Sequence, residues 1–433
     1  MKPLFAVWLL VALVPRSRAG ALEDYVNKPD AFFNWKRTEQ KKAEWGTVTR
    51  LEMVSQHWRD QFWSHYVVVV RPKVVRNPEI AFLFITGDGD GEKSVDMLRT
   101  IADRAGAVAA VITKIPNQPL YDGRKEDALI AYTFDQFMKT GDPTWPLHFP
   151  MVKSAARGMD TVQQFVRREF DQKIEKFVVG GASKRGWTTW LVGAVDPRIV
   201  AIAPMVIDML NMKAQLQWAG QMYGKQSEEI KDYTELNMEK RMDEPRMVTL
   251  RSWVDPYNYR NRYTMPKLLL LGTNDPYWVV DSLRHYWNDL PGPKLIFQTP
   301  NAGHDLGGGK EAVETLAAWF QIIADHEELP KMDWTLQPTA TGASISVNVN
   351  QTAKRIRLWT AESTDRDFRD DKWSSQDLTI QPGSAHATAE VPSPAKGYRA
   401  YMLEVTLTSP KGEDYRLSTE ARVTPDGVRP VAQ

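Results

Sequence analysis

A serine, an aspartate and a histidine stand in this sequence in the order and settings that acyl transfer requires. Phe177-Val178-Val179-Gly180-Gly181 reads as a buried strand running into Gly181-Ala182-Ser183-Lys184-Arg185-Gly186, and a helical pattern follows directly. A serine on a tight turn between a strand's C-terminal end and a helix presents its Oγ to solvent, the arrangement called a nucleophile elbow. The match to Gly-x-Ser-x-Gly is imperfect: the second glycine stands one place late, and Arg185 fills a position usually kept small. By itself a Gly-x-Ser in such a turn is more often a helix N-cap. Two later loops change that balance. Asp275 follows the apolar run Leu268–Leu271 in Gly272-Thr273-Asn274-Asp275-Pro276, and His304 follows Leu295–Gln298 in Pro300-Asn301-Ala302-Gly303-His304. Of seven histidines, His304 is the one in that slot. Ser…Asp…His, each beyond a strand end, is the chain order of α/β-hydrolases.

The roles follow from the chemistry. Serine is a weak nucleophile until an imidazole takes its proton, and a carboxylate orients that imidazole and steadies its charged form. The developing oxyanion needs two N–H donors. One is expected from Lys184, the other from the loop after the Ala81–Thr86 run, at Gly87 and Asp88. Gly87–Gly91 lacks the Gly-Lys-Ser/Thr ending of a phosphate loop, and its aspartates would repel phosphate. Lys184 and Arg185 oppose the dipole of the helix they begin. Either one of them binds an anionic substrate group, with Arg185 and Trp187 the candidate substrate contacts, or both pair with carboxylates on nearby loops. No metal motif is present, since Asp88-x-Asp90 lacks the rest of an EF-hand loop and no histidines have i,i+4 spacing. No cofactor is expected.

These residues need a sheet to position them. Gly46–Val54 and Ser64–Val70 read as antiparallel strands joined by an aromatic-rich connection. From Ala81 onward, apolar runs at 81–86, 107–113, 177–181, 199–206, 267–271 and 294–298 alternate with helical patterns at 95–105, 126–139, 151–170, 184–195 and 310–324. Such alternation specifies a mainly parallel sheet covered on both faces. About 60 residues separate the strands ending near Val206 and starting at Lys267, far beyond a simple connection. Their Met, Gln, Glu and Lys content predicts a helical cap inserted at about 209–250. After Pro330 the helical period stops. Ser344–Val349, Arg355–Thr360, Ala387–Val391, Tyr398–Thr408 and Tyr415–Val423 predict a C-terminal antiparallel β-sandwich of immunoglobulin-like type over 331–433, an accessory or docking module. The catalytic unit would then span 22–330.

Composition narrows the field. The 433-residue chain has 55 Lys+Arg against 54 Asp+Glu, a net charge of +1, so no global field recruits nucleic acid or anionic membrane. It has no cysteine, which excludes a thiol nucleophile, thiolate metal sites and disulfides. Residues 1–21 have a basic start at Lys2, an apolar run from Leu4 to Val14 and an Ala19-Gly20-Ala21 ending, which predicts a signal peptide cut near Ala21. That run is too short for a transmembrane helix, and no later one is long enough. A secreted or periplasmic protein is expected.

The chain also resembles a known family, the PhoPQ-activated pathogenicity-related proteins, which include the autocrine proliferation repressor protein A type. The resemblance rests on Pro116-Asn117-Gln118-Pro119, Arg124-Lys125-Glu126-Asp127, Gly181-Ala182-Ser183-Lys184-Arg185-Gly186-Trp187-Thr188, Asp196-Pro197-Arg198, Ala203-Pro204-Met205-Val206-Ile207-Asp208, Asp255-Pro256-Tyr257 and Pro300-Asn301-Ala302-Gly303-His304. It implies an exported protein of α/β-hydrolase type. The serine turn is also similar to that of glucuronoyl esterases, and the capped fold to prolyl-peptidase-type hydrolases. Together these readings predict a serine hydrolase acting on an ester or peptide. The alternative is a secreted signalling or binding protein on a hydrolase scaffold.

Overall fold

A computed structural model describes residues 20–380 and 383–427. The expected signal segment lies outside the described residues except for its last two. Helix α1 (Ala21–Asn27) buries Leu22 and Val26. Strands β1 (Asn34–Ala43), β2 (Gly46–Trp58) and β3 (Gln61–Pro72) then pair antiparallel in succession. The period-two signal missed β1 because Asn-Trp-Lys-Arg-Thr-Glu-Gln-Lys-Lys-Ala is an edge strand with no fully buried residue, and charge on an edge discourages further pairing. The aromatic-rich connection between β2 and β3 is itself strand. Trp58 and Trp63 are both buried, on either side of a turn where Arg59 takes a φ of 52°.

The alternation that follows is β4 (Ile80–Ile85), α2 (Val95–Ala105), β5 (Val108–Ile112), α3 (Glu126–Thr140), α4 (His148–Phe170), β6 (Lys176–Ala182), α5 (Lys184–Val195) and β7 (Ile199–Met205). A helical insertion interrupts it with α6 (Met212–Tyr223), the single turn α7 (Lys231–Thr234) and α8 (Pro245–Val254). Strands β8 (Lys267–Gly272) and β9 (Lys294–Thr299) and helix α9 (Lys310–Ala324) complete the unit. All nine strands form one sheet in the order β1-β2-β3-β5-β4-β6-β7-β8-β9. The sheet is mixed: β5 through β9 are parallel, and β3 joins them antiparallel. This is the architecture of the α/β-hydrolase superfamily. Alternate residues of each strand serve different cores. Ala81, Leu83 and Ile85 face α3, α4, α5 and the insertion, whereas Ile80 and Phe82 face α2 and α9. Burial on both faces is why these strands read as unbroken apolar runs.

From Met332 the strands form two further antiparallel sheets. One is β10 (Met332–Thr339), β11 (Gly342–Val349) and β14 (His386–Pro392). The other is β12 (Arg355–Ser363), β13 (Ser374–Asp377), β15 (Tyr398–Thr408), β16 (Asp414–Ser418) and β17 (Arg422–Thr424). Ile345 and Val347 of the first share one apolar cluster with Leu403 and Val405 of the second, and with Trp319 and Phe320 of α9. Strand β15 is buried on both faces along most of its length. Ala400 and Met402, on its other face, are buried against Phe368, Trp373 and Val280. A period-two pattern shows which residues share a face but not that a distant segment covers the opposite one. Among the described residues, no helix is long and apolar enough to cross a membrane.

Candidate active site

Parallel strands end together, so the loops after β4, β6, β8 and β9 meet at one sheet edge. Ile85 is level with Gly181, and Gly272 is level with Thr299. Gly87 and Ser183 therefore each stand two residues beyond paired positions on adjacent strands, which puts the expected oxyanion loop beside the serine.

The turn between β6 and α5 is tight. Ser183 takes φ 58°, ψ −125°, a conformation that L residues avoid and that persists only where the surroundings enforce it. The enforcement is steric. A Cβ on Gly181 would sit 2.7 Å from the Arg185 carbonyl oxygen, and one on Gly186 would sit 2.8 Å from that of Met205. The late glycine at 186 thus marks where β7 crosses close under the helix. Ser183 N–H donates to the Met205 carbonyl at 2.9 Å, which anchors the turn to that strand.

His304 Nε2 lies 2.9 Å from Ser183 Oγ, and its Nδ1 lies 2.8 Å from Asp275 Oδ2. The other Asp275 oxygen accepts from the Tyr277 N–H at 3.0 Å. The aspartate is buried while the imidazole is partly open, with side chains 4% and 27% exposed. The Tyr277 ring packs over the imidazole with centroids 4.4 Å apart. An imidazole hydrogen-bonded to a hydroxyl on one side and to a shielded carboxylate on the other can carry a proton from the hydroxyl.

The two cations after the serine are engaged. Lys184 Nζ lies 2.5 Å from Asp127 Oδ2 and donates to Tyr277 Oη at 3.3 Å. Tyr233 of the insertion donates to the other Asp127 oxygen at 2.9 Å. Burial pulls the Lys184 ammonium down, but Asp127 and Tyr277 outweigh it and hold the group above its ordinary value. Arg185 donates twice to Glu126, at 2.7 and 2.6 Å, and its Nε donates to the Ile115 carbonyl. Burial pushes the Glu126 carboxyl up, and Arg185 more than offsets it, so the carboxyl lies below its usual value. Glu126 thus occupies the Arg185 fork, as the carboxylate-pairing alternative expects, and the guanidinium lies under Gly87. The sequence contained the partners as Glu126-Asp127. Two buried cations opening one helix require two carboxylates, and an acidic pair opening α3 was the signal.

Trp187 is buried, donates to the Val254 carbonyl at 2.5 Å, and packs against His148 with tilted rings whose centroids are 3.9 Å apart. Its ring forms part of a chamber that opens beside Ser183 under the insertion.

Sequence reasoning did not find what holds the acid and histidine loops. Asn274 Nδ2 donates to the carbonyls of Phe368, Arg369 and Asp371 at 2.9, 3.1 and 2.8 Å. Asn301 exchanges two bonds with the Trp373 backbone, at 3.0 and 2.8 Å. The Asn274 N–H donates to the Ala302 carbonyl at 2.9 Å, and a Cβ on Gly272 would sit 2.3 Å from that same oxygen. Close by, Arg366 and Arg284 each donate to Asp281 Oδ2 at 2.9 Å, while Trp218 of α6 donates to Oδ1 at 2.8 Å. Behind Asp275, a cavity of about 10 Å³ is shared with Asp208. Burial pushes the Asp208 carboxyl up to about 7, against the pull of the Tyr286 hydroxyl and with the charge of Asp275 adding to the rise.

Comparison with known proteins supplies context. A family profile described as PhoPQ-activated pathogenicity-related protein matches residues 22–369. The autocrine proliferation repressor protein A of Dictyostelium discoideum is 31% identical over 464 residues, spanning 97% of this chain and 93% of that protein. Among solved structures, acetyl xylan esterase 1 from a Thermoanaerobacterium species is 17% identical, with a TM-score of 0.48, covering 70% of this chain and 91% of that one. An acetyl xylan esterase from a Paenibacillus species is 16% identical, with a TM-score of 0.49, covering 68% and 91%.

Proposed function

The chain belongs to the PhoPQ-activated pathogenicity-related family, and from that premise we propose that it is an exported serine hydrolase that cleaves esters or amides by acyl transfer. The observation that carries this reading is the continuous relay from Ser183 Oγ through His304 to Asp275, on a turn held at positive φ. In this mechanism His304 Nδ1–H donates to Asp275, which leaves Nε2 free to accept the serine proton. Ser183 Oγ attacks the substrate carbonyl carbon, and the carbonyl oxygen becomes an oxyanion facing the N–H groups of Lys184 and the Gly87–Asp88 loop. The imidazolium returns its proton to the departing alcohol or amine as the tetrahedral intermediate collapses to an acyl-serine. Water, deprotonated by the same imidazole, then releases the acid and regenerates the serine.

This reading takes 22–330 as the hydrolase unit, 209–250 as its cap, and 331–433 as an immunoglobulin-like sandwich docked on α9 and on the acid and histidine loops. A signal peptide cut near Ala21 would deliver the protein to the periplasm or the exterior. The rival is a secreted signalling protein, favoured by the name of the Dictyostelium relative. A scaffold that only binds has no need of an intact relay or of a strained serine turn. Labelling the mature protein with a fluorophosphonate probe tests the choice. Modification at Ser183, with ester turnover lost in Ser183→Ala, is expected; a protein inert to both tests would leave only the binding scaffold.

A further inference from the structure

The insertion does more than cover the sheet. Between its helices and α5 lies a chamber of about 140 Å³ that reaches Ser183 and Lys184 at one end. Its walls include Phe134, Trp187, Ile207 and Leu250, and five methionines of the sixteen in the chain, from Met209 to Met247. Most polar groups on the wall are engaged, although Arg251 Nε, Glu239 Oε2 and Trp278 Nε1 are buried without a hydrogen-bond partner. Asp127 is taken by Lys184 and Tyr233, and Gln215 donates to the Leu210 and Ser282 carbonyls. Arg251 donates to the Met242 carbonyl, and Glu239 faces Lys240 at 3.9 Å.

We propose that this chamber is the acyl-side subsite, and that it selects a neutral alkyl or aryl group of about six carbons, the size of group that an apolar cavity of about 150 Å³ accommodates. The proposal rests on the hydrolase reading and adds the substrate class. The unpartnered atoms are buried behind an almost wholly apolar surface, so a carboxylate or sugar hydroxyl placed there would lose most of its water for little return, which disfavours acidic and carbohydrate groups. Methionine side chains are unbranched and adapt to their contents, so the subsite should discriminate by apolarity and size more than by exact shape.

The subsite is tested in two ways. A series of p-nitrophenyl esters on the mature protein should show kcat/KM rising about fourfold per methylene, to a total of about 250-fold over the four methylenes from acetyl to hexanoyl, and then flattening. Met247→Trp, or Met238→Phe should the first variant misfold, partly fills the chamber and should lower the hexanoyl-to-acetyl ratio at least about tenfold. A flat series, or preference for an acyl group bearing a carboxylate, overturns the subsite while leaving the hydrolase standing. The second arm needs no turnover. In Ser183→Ala protein labelled with [methyl-13C]methionine, 1-hexanol should shift, saturably, the signals that Met238→Leu and Met247→Leu identify. If those signals move while no ester turns over, the chamber's apolar selectivity stands, but the hydrolase reading fails and the acyl-side role with it. If they do not move, the subsite is refuted whatever the kinetics show.

Discussion

The turn carrying Ser183 and the two loops carrying Asp275 and His304 meet at the same sheet edge, but they are fixed by different means. The serine turn is held by its own neighbours: glycines at 181 and 186 admit backbone at 2.7–2.8 Å, and one hydrogen bond ties it to the adjoining strand. The other two loops pack closely on each other at Gly272, where a Cβ would sit 2.3 Å from the Ala302 carbonyl oxygen, but their outer sides are held by a distant segment. Asn274 and Asn301 hold them against backbone of the 368–373 segment, which enters from the C-terminal sheets. The serine turn is thus pre-formed by its own close packing, while the aspartate and histidine loops also depend on hydrogen bonds across a tertiary interface. Steric constraints cannot be relieved locally, whereas polar contacts can be removed one at a time. The serine side should therefore be all-or-none and the acid–base side tunable.

The sharpest test of that contrast is Ser183→Ala, which should lower ester turnover about 10³-fold or more with little change in thermal stability. Turnover within a few-fold of wild type would remove the serine from the chemistry. Next comes the brace. Asn274→Ala deletes the side-chain contacts to the 368–371 backbone and to the Thr273 hydroxyl without touching the relay, and loss of alignment on the ångström scale should lower kcat by about 10- to 100-fold. Fluorophosphonate labelling of Ser183 should slow with it, since the probe depends on the same base. Unchanged kcat alongside a lowered melting temperature would show the asparagine to be structural only.

A smaller effect is expected at Arg185→Gln, on the serine side. Glu126 loses its partner, so acidic and neutral esters should slow alike, by about tenfold, with their ratio unchanged; a selective loss on acidic esters would restore the anion-binding role. The sign of the pH effect follows from Glu126, whose carboxyl lies below its ordinary 4.5 in the folded protein. Its contribution to stability is complete above about pH 4.5 and is lost as pH falls through the depressed value. Denaturation followed from pH 7 to pH 3 should show the wild-type margin over Arg185→Gln shrinking at the acid end.

The smallest effect on turnover belongs to Asp208→Asn behind the acid loop. A carboxyl raised from 3.8 to about 7 on folding makes the folded state bind more protons than the unfolded chain between those values, so wild-type stability falls as pH rises through that range. The variant should melt roughly 2–4 °C above wild type at pH 8, match it near pH 4, and turn over esters within a few-fold. A melting difference that is constant with pH would show that Asp208 does not titrate there.

The βα alternation, the serine turn and the order of the three chain segments were all legible in the sequence, because each is written in consecutive residues: an apolar run, a glycine, a helical period. Strand β1 was not, since a charged edge buries too little to leave a period. Strand β10 was missed as well: of its inner face, Met332, Trp334 and Leu336, only Met332 is fully buried, and the opposite face is exposed. Glu126-Asp127 was visible as a motif but not as the counter-charge of Lys184-Arg185, which lies 59 positions away. Asn274 and Asn301 looked like ordinary loop residues, because their partners stand 94 and 72 positions on. Local patterns record what a segment must become to bury its own apolar face. Which distant backbone its polar groups will satisfy, and which empty space its methionines will line, is decided only when the segments pack, because no period in the chain encodes a contact between remote surfaces.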